Sequence, residues 1–576
     1  MENQQETLRR DLLSHFGNSL DEDLVNDCIT LCQNYNLDAS SLFYKWEAMK
    51  YGTQGLVIFT KESVAALRQN IQRDLEKAAL AAKKASLKNA RFGLPTRNSL
   101  VDLRRSTNTS IATPSKTPNQ STTVIPAVQP GSSKLKFSWV GSESSSQKER
   151  GYRYMYEKLS ERSELLDDQI EDIADIIKDH YGVMDFGDPG LATEEEVVVV
   201  GRITLDGDSS SSGSVKINEA SIALESSRSM GSGVRVQVKF NHDFKITQCR
   251  RGPPTVGIFP GAIVALKGKN GGGGWFAVSE VLTIPPLHHD KVSSTTGDES
   301  AFTMFVAAGP FTSDADLQYK PWQAMLAKVK SEQPDVVLLI GPFIDHGHSL
   351  VRQGEMDITP WELFKSTFVD NLKDFLDLKP SATVLIVPSV KDILSDHVAY
   401  PQSAFSYETC GDPRIRLLSN PCQFSLNGLS FAVTSVDVLF HLRKEEFVKR
   451  AQDTSTSADG DVKMSSNNSE ADPMANLCRH LVEQRSFYPI FPVPNDLMHE
   501  VNLDVTHSDF LKFGGEKGEC PDVLVTPSRL KYFVKSVDDI TAVNPSFLTK
   551  GTFASLKYSG GHTKKESIKV EISKLE

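Results

Sequence analysis

Two short runs of histidine and aspartate have side chains that could bind a metal ion. One run is Asp345-His346-Gly347-His348 and the other is His288-His289-Asp290. A metal site needs three or four ligands that converge from different parts of the chain. The first run lacks partners from other loops, and the second lies in a connection between two predicted domains. Because histidines in polar loops are more often solvated than metal-bound, we expect no metal and no cofactor.

The other chemistry-bearing residues form no known catalytic signature. Seven cysteines are scattered along the chain, Cys28 and Cys32 have helical spacing, and no CxxC pair occurs. Such a set predicts neither a disulfide framework nor a structural zinc site, and it fits a reducing compartment. The sequence has no Walker A motif, no GxGxxG after a strand, no GxSxG and no HExxH.

The charge balance argues against nucleic-acid binding as the main task. The formal net charge is −11, whereas proteins that grip nucleic acid usually carry a basic excess that neutralises phosphates. The sequence therefore predicts that any work near DNA goes through protein partners. No apolar run is long enough to span a bilayer, and the first residues do not resemble a secretory signal, so no membrane contact is expected.

The N-terminal part predicts a small helical domain followed by a linker. Apolar residues at helical spacing predict four helices within residues 1–89, typical of a protein-interaction domain. Residues 90–147 are rich in Ser, Thr and Pro and predict a disordered linker. Within the linker, Thr113 and Thr117 each precede a proline and are candidate phosphorylation sites, although such pairs also arise by chance.

The middle of the chain predicts a connecting helix and a barrel. The helix covers residues 148–181, with Leu159, Ile170, Ile173 and Ile177 among its core-facing positions. Residues 182–300 contain about five short strands with Gly-rich turns, which suits an OB-type barrel. Such barrels often bind single strands, but the strand aromatics are few here, so a protein-binding role is an equal alternative.

The last half, residues 301–576, alternates apolar strands with helices. This pattern predicts an α/β domain whose sheet is buried on both faces, with a disordered insertion at about 453–472. The expected fold class is multidomain α+β, with an N-terminal helical bundle, an OB-type barrel and an α/β domain. In open α/β sheets, function lies at the carboxyl ends of the strands.

At those strand ends, this half resembles the calcineurin-like metallophosphoesterases, but without their metal ligands. That family places Asp and His residues after successive strands, and these hold two catalytic metals. Judged by the resemblance, the former metal-loop positions in this sequence are Pro342, Asp345, Val390, Lys391, Asp392, Pro527 and Arg529. Lysine and arginine cannot bind a cation at neutral pH. The resemblance therefore implies an inactivated domain with no catalytic residues.

A barrel joined to such a domain resembles the B-subunit family of the replicative DNA polymerases. The stretches that carry the resemblance are 259–268, 308–312, 339–345, 387–392, 488–492 and 544–546. The N-terminal extension favours the alpha branch. The resemblance implies a nuclear, non-catalytic scaffold that binds the zinc-bearing C-terminal domain of the catalytic subunit and docks it to primase. It further implies that the N-terminal domain recruits other replication proteins and that DNA is contacted mostly indirectly.

Three alternatives remain open at this point. The chain could be the B subunit of polymerase epsilon or delta, an active phosphodiesterase with unusual ligands, or a protein that binds single-stranded DNA through its barrel. The order of domains does not exclude the epsilon branch, whose B subunit also has an N-terminal helical domain.

Overall fold

The structure is a computed structural model that describes most of the chain after residue 158. It also describes parts of residues 8–46, and residues 64, 67 and 68. The other described stretches are 135–140, 158–205, 216–231, 233–247, 255–287, 300–396, 398–406, 410–451, 472–513, 520–560 and 567–575. The chain divides into two compact units, Met1–Pro126 and Ala127–Glu576.

The strands and helices of the described stretches are numbered in chain order. The strands are β1 Phe137–Trp139, β2 Val197–Leu205, β3 Ile222–Glu225, β4 Arg235–Thr247, β5 Thr255–Ile258, β6 Ile263–Lys269, β7 Trp275–Leu282, β8 Phe302–Ala308, β9 Val336–Ile340, β10 Thr383–Val387, β11 Ile415–Leu417, β12 Cys422–Leu426, β13 Leu429–Val433, β14 Phe447–Arg450, β15 Val523–Val525, β16 Phe533–Val537, β17 Ile540–Asn544, β18 Thr552–Tyr558 and β19 Ile568–Lys574. The α-helices are α1 Glu22–Tyr35, α2 Leu159–Tyr181, α3 Lys320–Glu332, α4 Ser349–Gln353, α5 Pro360–Phe364, α6 Asp370–Leu378, α7 Val438–Glu445, α8 Pro473–Glu483 and α9 Met498–Val501. A π-helical turn, Lys365–Val369, joins α5 to α6.

The first unit contains α1 and a small apolar core. Its buried side chains are Leu12, Val25, Cys28, Ile29, Leu31, Cys32, Ala39, Leu42 and Val64. Burial raises the pKa of the Cys28 thiol to about 12 and that of Cys32 to about 11. Both thiols therefore stay protonated at neutral pH and serve as core side chains.

The second unit begins with a helix packed on a closed barrel. The barrel strands follow the order β2-β3-β4-β7-β6. The buried face of α2 presents Ile170, Ile173 and Ile177 to the outside of the barrel. Leu159, predicted to face the core, is instead 84% exposed, because it lies three turns before Ile170, the first buried residue of the helix.

A turn at residues 259–262 separates β5 from β6. Gly261 has a φ of +98°, and the backbone of Pro489 and Phe491 passes so close that no side chain would fit. As a result, β5 leaves the barrel and pairs with β14 of the α/β domain. This pairing joins the barrel to the rest of the unit.

Two six-stranded sheets form the α/β domain. The first sheet has the order β11-β10-β9-β8-β18-β19, and the second has the order β1-β12-β13-β15-β17-β16. Within the first sheet, β8 to β11 run parallel to one another, β18 pairs antiparallel with β8, and β19 pairs antiparallel with β18.

The sheets stack face to face, with helices outside them. Along β9, Val337 and Leu339 face α3 and α6, whereas Leu338 and Ile340 face the second sheet. The continuous apolar pattern of this strand predicts such double burial. The outer face of the second sheet shares one apolar cluster with α7, α8 and the barrel interior.

The prediction of a multidomain α+β fold with an OB-type barrel is confirmed, with one correction near the linker. Residues 137–139 fall inside the predicted linker 90–147, but they form strand β1 at the edge of the second sheet. The side chains of Phe137 and Trp139 pack against the core between the two sheets. The preceding residues of the predicted linker have almost no aromatic side chains that could pack in this way. Within the described stretches, no helix is long and apolar enough to cross a membrane.

Several predicted features lie outside the described residues. They are Thr113, Thr117, the run His288-His289-Asp290 and nearly all of the insertion at 453–472.

Candidate functional site

A cavity of about 340 Å³ lies at the carboxyl ends of the central strands of both sheets. Its walls are the loops that follow β8, β9, β10, β13 and β15, together with α9. The lining residues are Gly309, Pro310, Thr312, Ser313, Asp314, Gly341, Pro342, Asp345, Ser389, Lys391, Ser435, Val436, Asp437, Glu500, Arg529, Phe547 and Thr549. This is the edge where an α/β domain of this kind places its chemistry.

The loops after β8 and β9 approach each other too closely for side chains. A Cβ on Gly309 would collide with the carbonyl of Pro342, and one on Gly341 would collide with Asp392 and Ser389. Both glycines precede a proline, and both Gly-Pro peptide bonds are cis. The floor of the cavity is therefore made of packed backbone.

Asp392 holds that floor together from beneath. It is buried, and its carboxylate accepts hydrogen bonds from the backbone N–H groups of Phe343, Ile344 and Ser389, the last two at 3.0 and 2.8 Å. Burial raises its pKa to about 7, although these hydrogen bonds act in the opposite direction. The residue therefore joins the loop after β9 to the loop after β10.

An ion-pair network crosses the cavity and is centred on Glu500. The Arg529 guanidinium donates to Glu500 and, through Nε at 2.9 Å, to Asp437. Lys391 Nζ lies 3.5 Å from Glu500 Oε2, and His441 Nε2 lies 3.4 Å from the same oxygen. The network thus links three loops to α7 and α9.

The charge state of Glu500 follows from these contacts. Burial alone would raise its pKa, but the hydrogen bond from His441 and the charges of Lys391 and Arg529 lower it to about 2. Glu500 is therefore ionised at neutral pH. The buried ring of His441 is also held at Nδ1, 3.1 Å from the Tyr488 hydroxyl.

Asp437 caps the N-terminus of α7 and also binds Arg529. One carboxylate oxygen accepts from the Phe440 backbone N–H at 3.2 Å and caps the helix. The other accepts from both the backbone N–H and Nε of Arg529, each at 2.9 Å. The Arg529 guanidinium also lies 4.3 Å from the Phe440 ring centroid. Arg529 is thus fixed on several sides.

The cavity brings together four of the seven predicted positions. Pro342, Asp345, Lys391 and Arg529 line it, and Asp392 lies directly beneath. Two positions lie apart. Val390 lines a neighbouring groove, and Pro527 is buried without lining the cavity.

The histidines of the Asp345–His348 run have structural roles. His346 Nδ1 lies 2.9 Å from the Lys391 carbonyl. His348 is buried, with Nε2 2.9 Å from the Ser313 carbonyl and Nδ1 accepting from the Leu350 N–H that begins α4. Among the residues that the structure describes, no group of three or more histidine, cysteine, aspartate or glutamate side chains is placed to hold a metal ion.

Sequence reasoning missed Glu500, Asp437 and His441. Asp437 follows β13 by four residues, so the rule that function gathers at strand ends provides a signal for it. Glu500 comes from the four-residue helix α9, and His441 is the only histidine of α7. Neither lies in a motif, so only the fold brings them to the cavity.

Comparison with known proteins decides between the polymerase branches. Models of three regions of these B subunits match the chain: the N-terminal region of the DNA polymerase alpha B subunit at residues 6–71, its OB domain at 163–284, and the shared alpha/epsilon B-subunit region at 304–535. The DNA polymerase alpha B subunit of Schizosaccharomyces pombe is 31% identical, over 93% of this chain and 94% of that protein. The chain belongs to the family of DNA polymerase alpha B subunits. The predicted alpha branch is thereby confirmed.

Other members of the family are matched over a smaller part. The proteins of Bos taurus and Saccharomyces cerevisiae are each 28% identical, over 67% and 70% of this chain. The matches span 57% and 59% of those two relatives' own lengths. The family membership gives the chain its place as an accessory subunit of DNA polymerase alpha.

A second groove beside the cavity is lined by both apolar and polar residues. It is lined by His346, Val390, Val398, Met498, His499 and Asn502. Val398 and Met498 are 52% and 53% exposed. Large exposed apolar side chains that gather in one place mark contact surfaces. We call Val398 and Met498 the apolar patch.

The barrel offers little for stacking nucleic-acid bases. Trp275 is its large exposed aromatic residue among the described strands, at 40% exposure. Lys239 Nζ lies 3.8 Å from the Trp275 ring centroid, and Gly273 packs so closely against the ring that a Cβ there would collide with it. With these two neighbours on the ring, Trp275 is poorly placed to stack a base.

Proposed function

We propose that this chain is a non-catalytic accessory subunit of the polymerase alpha–primase complex. It binds the C-terminal domain of the catalytic subunit, connects that subunit to primase, and supports the synthesis of RNA–DNA primers in the nucleus. The observation that carries the proposal is the cavity at the strand ends, where side-chain cations of the protein occupy the space beside the carboxylates.

The chemistry of the cavity supports a structural role. Two-metal catalysis needs carboxylate oxygens and imidazoles that are free to bind metal. Here Arg529 engages both Glu500 and Asp437, and Lys391 adds a second positive charge beside Glu500. A divalent metal would have to displace a guanidinium that is already held by two carboxylates and a ring. The former catalytic edge therefore serves as a cross-link between loops.

The apolar patch is our candidate contact surface for the catalytic subunit. It lies on the body formed by the barrel and the α/β domain, which share one apolar cluster. Stable assemblies need broad, partly apolar interfaces. By this proposal the N-terminal unit recruits other replication proteins, and Thr113 and Thr117 are phosphorylated.

A phosphodiesterase assay tests the non-catalytic part. Purified full-length chain with Mn²⁺ is given a generic phosphodiester, bis(p-nitrophenyl) phosphate. We expect no turnover above that of the buffer. Metal-dependent turnover that disappears in Asp345→Ala, and persists in the surface control Asp374→Ala, would show an active enzyme and refute the proposal.

A further inference from the structure

Strand β1 is a short segment that reaches the second sheet from far away in sequence. Only residues 135–140 are described there, and the described chain resumes at residue 158. The strand pairs antiparallel with β12, with Phe137 opposite Leu426, Ser138 opposite Ser425 and Trp139 opposite Phe424. It forms the outer edge of the sheet. Nearly 290 residues separate the two partners, so local sequence does not bring them together.

Two hydrogen bonds between Lys136 and Asn427 fix the register of the segment at its second residue. The Lys136 N–H donates to Asn427 Oδ1 at 2.7 Å, and the Asn427 N–H donates to the Lys136 carbonyl at 3.0 Å. The side-chain amide of Asn427 also donates to the Ser300 carbonyl at 2.8 Å. Asn427 thus ties the segment to the hairpin between β12 and β13 and to the start of the first sheet.

Alternate side chains of the segment enter an apolar groove. Leu135, Phe137 and Trp139 pack against the core between the two sheets. The Phe137 ring stacks on Phe424 with centroids 5.7 Å apart, and the Arg416 guanidinium covers Phe137 at 4.5 Å. Ser138 points away and is exposed. This is the way an extended peptide is recognised at a sheet edge, through main-chain hydrogen bonds and pockets for alternate side chains.

We propose that the edge of β12, with Phe424 and Arg416, is a peptide-binding groove whose occupant is the chain's own segment 135–140. The segment acts as a clip: it anchors the connection from the N-terminal unit at a fixed point of the second sheet, and it covers an edge that would otherwise be open to pairing. Its aromatic-x-aromatic pattern is what the groove selects. Because it contributes only three strand residues, the clip opens without unfolding the body.

Trypsin cleavage after Lys136 tests the clip in the full chain. The bond between Lys136 and Phe137 is cut only when the clip opens. We expect the double substitution Phe137→Ala with Trp139→Ala to raise the cleavage rate by roughly tenfold or more, since the packing of two partly buried rings is lost. Ser138→Ala, whose side chain is exposed, should leave the rate unchanged. Cleavage after Lys116 serves as the digestion reference.

The melting temperature of the second unit distinguishes a variant whose clip has opened from a variant that has misfolded. We expect the melting temperature of the double variant to stay close to that of wild type while cleavage rises. A fluorescent peptide of residues 133–142 should then bind the double variant and not the wild type, whose groove is filled. Equal cleavage in both proteins would overturn the proposal, and so would failure of the peptide to bind the opened variant.

A cross-link provides a test that does not depend on weakening the segment. Ser138 and Ser425 are directly opposite in the register. Cysteines at directly opposed positions of antiparallel strands lie within disulfide range. Under mild oxidant, Ser138→Cys with Ser425→Cys should form an internal disulfide and block cleavage after Lys136, and Ser138→Cys alone should not. No cross-link would contradict the proposed register.

Discussion

At the residue scale, Glu500 organises the cavity. Its carboxylate is only 10% exposed, and it faces Arg529, Lys391 and His441. Removing one partner of a buried charge network leaves the other charges uncompensated, which costs far more than breaking an exposed pair. The network therefore links the loops around the cavity and is expected to stabilise them.

Removing the charge of Glu500 tests whether the network stabilises the fold. We expect Glu500→Gln to lower the free energy of unfolding by about 2–3 kcal/mol, because Arg529 and Lys391 then lie close together without their shared anion. Urea unfolding followed by tryptophan fluorescence gives the value. The control is Glu332→Gln, which breaks the exposed pair with Lys328 at 2.7 Å and should cost less than about 0.5 kcal/mol.

Acid should remove the contribution of Glu500. Its pKa is about 2 in the folded protein, below the ordinary value of 4.5, so its stabilisation is present above pH 4.5 and fades as the pH falls towards 2. The stability difference between wild type and Glu500→Gln should therefore narrow by about 1 kcal/mol between pH 6 and pH 3.5. A difference that stays constant over this range would contradict the ionised, paired state of Glu500.

Asp392, beneath the cavity, and Asp345, which lines it, differ in how many backbone hydrogen bonds their carboxylates accept. Asp392 accepts three backbone hydrogen bonds while buried, whereas the half-buried Asp345 accepts one from the Gly347 N–H at 2.8 Å. Asp392→Ala leaves three buried donors unsatisfied and should cost about 3 kcal/mol or more. Asp345→Ala should cost about 1 kcal/mol, measured by the same urea unfolding. Equal costs would refute the anchoring role of Asp392.

At the element scale, the barrel and the α/β domain are joined by backbone pairing. Strand β5 pairs with β14, and the Gln484 side chain contacts both polar groups of the Ile263 backbone, at 2.8 and 3.0 Å. The Gln484 side chain thus hydrogen-bonds to the backbone of β6 in the way a neighbouring strand would. The Phe491 N–H donates to the Pro260 carbonyl at 3.0 Å, which adds a further backbone contact between the barrel and the α/β domain.

Two substitutions at Gln484 separate hydrogen bonding from charge. Gln484→Ala loses both contacts and should cost about 1–3 kcal/mol. Gln484→Glu can still accept from the Ile263 N–H, but it places a carboxylate against the Ile263 carbonyl and should cost at least as much. Hydrogen exchange at β6 and β14 should rise in both variants. No change in exchange would exclude Gln484 as a connector.

Sequence patterns predict the apolar elements better than the connecting ones. Strands β8, β9 and β10 are continuous apolar runs, and they belong to the α/β domain that the alternation of apolar strands with helices predicts. The edge strand β1 is too short for a periodic pattern, and the turn at Gly261 depends on a chain segment 230 residues away. At the site, the positions implied by the family resemblance include Pro342, Lys391 and Arg529, and these three line the cavity. Glu500 and His441 could not be found, because only tertiary packing places them there.

At the scale of the whole molecule, the second unit carries an apolar patch beside the cavity at the strand ends. The proposed complex with the catalytic subunit requires an exposed contact surface, and the patch provides one. Met498 and Val398 are more than half exposed and line the same groove. Charged residues at such a position oppose burial against a partner.

Charging the patch should weaken the complex without unfolding the chain. We expect Val398→Asp with Met498→Asp to lower the affinity for the C-terminal domain of the catalytic subunit by about a hundredfold or more. Surface plasmon resonance with that domain gives the affinity. Val448→Asp, at a 51% exposed residue of β14 away from the groove, is the control. Unchanged affinity in the double variant would place the interface elsewhere.

The most direct test of the proposed scaffold role is to identify what the chain assembles with. The full-length protein, tagged at its natural level in replicating cells, is purified and its partners are measured by quantitative mass spectrometry. We predict recovery of a large B-family polymerase together with both primase subunits in comparable amounts. Recovery of neither the polymerase nor primase would contradict the scaffold role.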